Sequence, residues 1–283
     1  MESIQLSGTV LTPSVQQWLQ KPKAVRLLHL FDEVINLINA DGEIISVVQS
    51  QIKPGPFSLL VDEKRPFPTL IHPSASVTKT DTTLTIGSLE IDCGSAKLWN
   101  PIPNWHLLNQ RQGNWLGVLP AMQTAVNQRF DTLGELGPAN FNQKFQTAVI
   151  RMQAVRFESD SEAWGTAVAK LAGFGPGFTP AGDDFLVGFL FGLWATRPKD
   201  EVVELAKFVV ETAVPRTTQL SAAWLQAAGR GEAWIMWHNL VEAFLSGYGW
   251  QLPVKLILEQ GATSGIAALL GFIAATSRSW LAS

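Results

Sequence analysis

One cysteine in 283 residues, Cys93, excludes an intrachain disulfide and any multi-cysteine zinc site. It closes the strand-like run Leu89-Glu90-Ile91-Asp92-Cys93 and reads as a buried small apolar residue rather than a nucleophile. Histidine is equally sparse: His29, His72, His106 and His238 stand alone, without HxH or HExxH spacing, so ligation of a metal by histidine is not indicated. Positive charge is thin as well. The formal net charge is -3, the isoelectric point is near 5.8, and no Lys/Arg run occurs, which argues against nucleic acid as a partner. The longest uncharged apolar runs, 185–196 and 261–276, fall short of the roughly 18–20 residues that span a bilayer, so no membrane segment is expected. Residues 1–19 have neither a basic n-region nor an apolar h-region, and the expected location is the cytoplasm. GxSxG, GxxxxGK[ST] and GxGxxG are all missing.

Charged residues make up 16% of the chain, against about 25% in ordinary soluble domains. The hydrophobic fraction is 46%, with 11 Trp. A surface so poor in charge is expected to be covered in part by another subunit, either a different chain or a second copy in a homo-oligomer.

Residues 1–100 read as β-rich. A short helix is expected at 14–20, followed by strands at 24–31, 34–38, 44–48, 57–61, 76–79, 83–86 and 89–93. Ala40-Asp41-Gly42 is a hairpin signal; Lys53-Pro54-Gly55-Pro56 and Arg65-Pro66-Phe67-Pro68 are loops. Strands this short suggest a small barrel or sandwich, of unreadable strand order. Asn100-Pro101-Ile102-Pro103 reads as a linker, after which the period becomes helical. Helices are expected at 107–130, 141–155, 161–172, 185–195, 201–214, 218–228, 233–245, 254–259 and 264–276, broken by Gly134-Glu135-Leu136-Gly137-Pro138, Arg197-Pro198 and Gly247-Tyr248-Gly249. The fold class is α+β: a β-rich part, 1–100, then a mainly helical part, 105–283.

Two of these helices are apolar all round and carry small residues four apart: Gly188 and Gly192 in one, Ala267, Gly271 and Ala275 in the other. They are expected to pack against each other at the centre of the helical part. The Trp residues of this part, Trp105, Trp115, Trp164, Trp194, Trp224, Trp234, Trp237, Trp250 and Trp280, are expected in core or interface with indole N–H groups on main chain.

The chain is organised around residues 173–188, GFGPGFTPAGDDFLVG, a glycine- and proline-rich loop that opens the first of the two apolar helices. Thr179-Pro180 reads as an N-cap followed by proline at the first helical position. Asp183 and Asp184 then fall in the first turn, at the positive end of the helix dipole. They either stabilise the helix start or act on a ligand, as proton-handling groups or as ligands of a divalent cation such as Mg²⁺. Main-chain N–H groups around Gly175, Gly177 and Gly182, with Thr179, would cradle a small anionic substrate. Arg216 and Thr217 precede another polar helix start, Thr218-Gln219-Leu220-Ser221, and Ser264 opens the second apolar helix. Arg216 is either an anion clamp or a surface residue beside a cap, and the three polar helix starts are candidates to converge on one anion.

Residues 173–188 resemble the signature G-x-G-P-G-x-T-P-[SA]-G-D-D-x-L-x-G of the AllH-like family. Gly55-Pro56-Phe57-Ser58-Leu59-Leu60-Val61, Arg216–Ser221 and Thr263-Ser264-Gly265 extend the resemblance over most of the chain. The resemblance implies a subunit of oxamate carbamoyltransferase, with other subunits as partners, in the anaerobic branch of allantoin breakdown. The implied reaction is phosphorolysis of oxalurate to oxamate and carbamoyl phosphate, or its reverse. In that family the last motif often has His before Thr/Ser-Ser-Gly and Asp shortly after it; here Ala262 precedes and Ile266-Ala267-Ala268 follow. A chain lacking those groups is also compatible with a non-catalytic structural or regulatory subunit, and the paired Asp residues with a magnesium-dependent hydrolase.

Overall fold

A computed structural model of the protein describes residues 3–130, 141–154 and 160–276. The expected break at 134–138, the end of the helix expected at 141–155, and Trp280 lie outside them. The chain divides into two compact units, Met1–Pro101 with Ala233–Ile235, and Ile102–Glu232 with Met236–Ser283.

In the first unit β1 (Ile4–Leu11) is followed by the helix α1 (Pro13–Gln20). The strands β2 (Val25–Leu30), β3 (Val34–Asn39), β4 (Ile44–Gln49), β5 (Ser58–Val61), β6 (Val77–Lys79), β7 (Thr83–Ile86), β8 (Leu89–Asp92) and β9 (Lys97–Leu98) come next. Together they form one sheet in the order β2-β3-β4-β5-β1-β8-β7-β6, with β9 on β1, curled into a nearly closed barrel. The hairpin expected at 40–42 joins β3 to β4 in antiparallel register, Ile38 opposite Ile44. Gly42 takes the left-handed turn position (φ 82°), and the Asn39 side chain accepts from the main-chain N–H groups of Asp41 and Glu43.

The sequence reading missed β1, the strand that joins the two halves of the sheet. It runs antiparallel to β5 and parallel to β8, with a register shift between Gly8 and Val10. Such a shift bends a strand and lets it serve two neighbours at different angles. The barrel interior holds Ile35, Leu37, Ile45, Val47, Leu59, Val61, Leu84, Ile86, Leu89 and Ile91, and α1 adds Val15, Trp18 and Leu19 to the same core. Cys93 is buried, and burial pushes its thiol up to about 11, as suits an inert core residue.

In the second unit the single helix expected at 107–130 is in fact broken. It consists of α2 (Trp105–Gln110), α3 (Gln112–Trp115), a 3₁₀ turn over Leu116–Val118 and α4 (Leu119–Phe130). Arg111 leaves helical geometry (φ -113°, ψ 32°), and the redirected chain buries Trp115 completely. The remaining helices are α5 (Phe141–Ala154), α6 (Ser161–Leu171), α7 (Ala181–Thr196), α8 (Lys199–Ala213), α9 (Gln219–Gly229), α10 (Ile235–Ser246), α11 (Gln251–Leu258) and α12 (Ser264–Thr276). Among the described residues no helix is long and apolar enough to cross a membrane.

The two all-apolar helices, α7 and α12, pack on each other, and the small residues are what permits it. A Cβ on Gly188 would stand 1.7 Å from the Ala268 carbonyl oxygen; one on Gly271 would stand 1.9 Å from that of Phe185. Aromatic rings fill the surroundings: Trp115 stacks on Phe244, and Trp237 lies against both Phe191 and Phe272. The indole N–H groups of Trp105, Trp115 and Trp194 donate to the main-chain carbonyls of Gly231, Leu108 and Ala228, as the sequence reading expects.

Candidate functional site

Residues 173–180 form the loop between α6 and α7, and close backbone approach fixes its path. Gly182 donates its N–H to the Phe174 carbonyl at 2.8 Å. A Cβ there would lie 2.0 Å from the Leu171 carbonyl oxygen, so only glycine lets the first turn of α7 press on the end of α6. Gly173 has φ 69°, and a Cβ on it would meet the Arg216 carbonyl oxygen at 2.4 Å. Phe174 stacks on Phe141 and Phe145 of α5, which pins the loop from the outside. Gly175 and Gly177 also have positive φ, and Gly177 faces open space.

The N-cap of α7 is Pro180, one residue later than expected, and its carbonyl accepts from the N–H groups of Asp183 (2.9 Å) and Asp184 (3.1 Å). Thr179 therefore does not cap the helix. Its hydroxyl lies 3.2 Å from that of Ser264, at the first position of α12. With the loop bonded to its neighbours, Thr179 is turned towards the start of a second helix instead of its own.

The adjacent carboxylates have different surroundings. Asp183 is 1% exposed, and both of its oxygens are engaged. Oδ1 accepts from the Gly173 N–H at 2.9 Å, Oδ2 accepts from the Thr217 hydroxyl, and the Ser221 hydroxyl also bonds to the carboxylate. Burial raises its pKa while these donors pull it down, with a net upward direction. Asp183 thus ties together the signature loop, the start of α7 and the start of α9. Thr218 completes the tie: it caps α9 by accepting from the Ser221 N–H at 3.1 Å and donates its hydroxyl to the Phe178 carbonyl at 2.6 Å.

Removing the Asp183 carboxylate leaves the part-buried Gly173 N–H and Thr217 hydroxyl and the buried Ser221 hydroxyl without their acceptor. Asp183→Ala is expected to lower unfolding free energy by about 3 kcal/mol. Urea titration measures it, and a loss below 1 kcal/mol would show that Asp183 does not staple the loop.

Asp184 points the other way, toward α12. The Ser264 hydroxyl bonds to its carboxylate, while Oδ2 is enclosed by protein and has no hydrogen-bond partner. Burial pushes this carboxyl up to about 8, against the Ser264 bond; the Asp183 charge adds to the rise. At neutral pH Asp184 is mainly the neutral acid, while three donors point at the Asp183 carboxylate, so the two adjacent carboxyl groups sit in environments suited to different roles.

The starts of α7, α9 and α12 thus meet at the two carboxylates. Arg216, expected as a possible anion clamp, is exposed and donates to the Thr212 carbonyl at the end of α8. Thr217 is engaged with Asp183, and Ser264 with Asp184 and Thr179, so of the expected anion-binding groups the loop around Gly175 and Gly177 is the part facing open space. With both Asp183 oxygens occupied by donors, the enclosed Oδ2 of Asp184 is the one oxygen of the pair without a hydrogen-bond partner, and the described residues contain no cluster of three or more His, Cys, Asp or Glu. Thr218 and Ser221, which read in the sequence only as part of a polar helix start, hold the loop and Asp183 in place through their hydroxyls.

Neither the curated proteins nor the solved structures hold a match to this chain. Family profiles do match, in both units. Residues 171–276 match the family described as oxamate carbamoyltransferase subunit AllH, and residues 10–98 match the AllH family N-terminal domain. The first match opens at the end of α6 and closes with α12, taking in the loop, both carboxylates and all three helix starts, and on these two matches the chain belongs to the AllH family.

Proposed function

We propose that this chain is the subunit of a carbamoyltransferase complex that handles oxalurate, oxamate and carbamoyl phosphate in anaerobic allantoin breakdown, and that Asp184 moves the proton in the reaction. Family membership supports the reaction class. The observation that carries the assignment of Asp184 is its enclosed, unpartnered Oδ2 on a carboxyl held neutral beside Asp183.

In the phosphorolytic direction a phosphate oxygen bonds to the ureido carbonyl carbon, and the bond from that carbon to the oxamate nitrogen breaks. The leaving amide nitrogen is a poor leaving group as an anion and needs a proton. Asp184, neutral at pH 7, donates it. In the reverse direction its carboxylate takes the proton from the oxamate nitrogen as that nitrogen attacks carbamoyl phosphate and phosphate departs. Negative charge that grows on the carbamoyl oxygen is met by N–H groups of the loop around Gly175 and Gly177, while the Thr179 and Ser264 hydroxyls orient Asp184. Asp183 holds the scaffold in place.

The test is to purify the chain alone and with the products of its neighbouring genes, and to follow carbamoyl phosphate consumption with oxamate. Turnover is expected only in the co-purified complex. Equal turnover by the isolated chain would remove the multisubunit reading, and none in any complex would remove the reaction.

A further inference from the structure

The helix pair α5 and α6 carries a feature that the carboxylate site does not use. A groove of about 360 Å³ runs between them, lined by Gln143, Lys144, Thr147 and Arg151 of α5, Lys170 of α6, and Phe174 at the start of the signature loop. Three cations face this groove, and no acidic residue lines it among the described residues. Among the described residues none of the three forms an ion pair. That is unusual in a chain whose net charge is -3.

Helix electrostatics account for part of the pattern. Arg151 and Lys170 sit in the last turns of their helices, where positive charge is favoured. Lys144 does not fit that explanation. It occupies the first turn of the 14-residue α5, at the positive end of the dipole and with no acidic residue in that turn. Lys144 and Arg151 are seven residues apart, so they project from one face of α5 about 10 Å from each other. The long arms of both, with that of Lys170, can close on one group between them.

Asp160 and Glu162 line an adjacent groove of about 390 Å³ that shares Arg151 and Lys170. Asp160 accepts from the Ala163 N–H as the cap of α6. Among the described residues, therefore, positive charge without an acidic neighbour lining the groove is concentrated on the Lys144 side.

We infer that the α5/α6 groove binds the dianionic phosphate group of a small phosphorylated ligand, held by Lys144, Arg151 and Lys170. Guanidinium and ammonium groups neutralise the phosphate oxygens, and Phe174 offers an apolar wall to the rest of the ligand. The volume lies at the lower end of the range for small-molecule sites, which favours a metabolite over a protein segment. This site stands independently of the role given to Asp184.

Calorimetric titration of the full chain with inorganic phosphate at low ionic strength tests it, with chloride at matched ionic strength as the control. Saturable binding is expected with phosphate and not with chloride. It should weaken at least tenfold in the double variant Lys144→Glu/Arg151→Glu and in Lys170→Glu, while Lys97→Glu, an exposed residue of the other unit, binds as the wild type. All four positions are exposed, so circular dichroism should report unchanged folding. Pyridoxal phosphate followed by borohydride gives the location: label is expected on Lys144 or Lys170, with protection by phosphate. Unchanged phosphate affinity in the groove variants would overturn the inference. So would failure of the wild type to bind phosphate, which would leave the groove to an acidic protein partner.

Discussion

Gly188→Ala is expected to destabilise the protein by more than about 3 kcal/mol, and Gly188→Leu to leave no folded protein. The direction is informative because helix propensity runs the other way. Alanine is favoured over glycine inside a helix by about 1 kcal/mol, so an ordinary helical glycine gains stability on this change. At Gly188 the added carbon would meet the carbonyl oxygen, carbonyl carbon and Cα of Ala268 at 1.7, 2.5 and 2.7 Å. These are backbone atoms of a buried helix and cannot rotate away. The partner helix returns the same constraint through Gly271 against the Phe185 carbonyl oxygen, so α7 and α12 would have to separate along their length. Separation opens voids around Phe185, Phe189 and Phe272, all of which are buried. Gly113→Ala is the control, since no atom lies within 4 Å of a Cβ there. It should be neutral or slightly stabilising. Urea denaturation and size-exclusion chromatography read both variants, and a Gly188→Ala protein as stable as the wild type would refute the close packing.

The same pair of helices shows what a sequence makes legible. Runs that are apolar on every side have only one place to go, and small residues four apart state which faces meet, so α7 and α12 were readable as partners before any coordinates. The strands β2 to β8 were readable because each carries its own pattern and is bounded by turns. β1 was not, because Ser7, Gly8 and Thr9 interrupt its apolar residues. Its role comes from non-local pairing with β5 and β8, which no local window contains. The break at Arg111 escaped for a related reason: the apolar period continues through 105–130, and burial of Trp115, a tertiary demand, redirects the chain.

At the candidate site the sequence identifies the loop and the carboxylates but cannot divide their work. Residues 183 and 184 are chemically identical and adjacent. A turn of about 100° per residue sends one toward α9, where Gly173, Thr217 and Ser221 donate to it, and the other toward α12, where Ser264 alone does. Thr179 illustrates the same limit on a smaller scale. A threonine before proline at a helix start looks like a cap. The partner that makes it part of the site, Ser264, is 85 residues further along the chain.

Asp184→Asn is expected to keep the fold, to flatten the pH dependence of stability, and to reduce turnover of the complex by roughly a hundredfold or more. The sign follows from a carboxyl raised from its ordinary 3.8 to about 8. Below the ordinary value both the folded and unfolded chains hold the proton, and the contribution of Asp184 is fully present. Between about 4 and 8 the unfolded chain has released a proton that the folded chain retains, so stability falls as pH rises, by about 1.4 kcal/mol per pH unit at the steepest. Above the folded value both have released it and the slope ends. Asp183 is raised as well and acts with the same sign. Glu63, lowered to about 2 by its bonds with Arg65, changes stability only at more acidic pH and does not mask the effect. An amide at position 184 has no proton to lose, so the melting temperature of Asp184→Asn should decline less than that of the wild type between pH 5 and pH 9. The variant still offers an oxygen to Ser264 and fills the same volume, which separates the lost proton from lost packing. In the assembled complex the wild-type rate of phosphorolysis should fall along a limb centred near pH 8, and the variant should lack that limb. Parallel melting curves for the two proteins would mean that Asp184 ionises like an ordinary carboxylate, and its assignment as the proton donor would fall with that result.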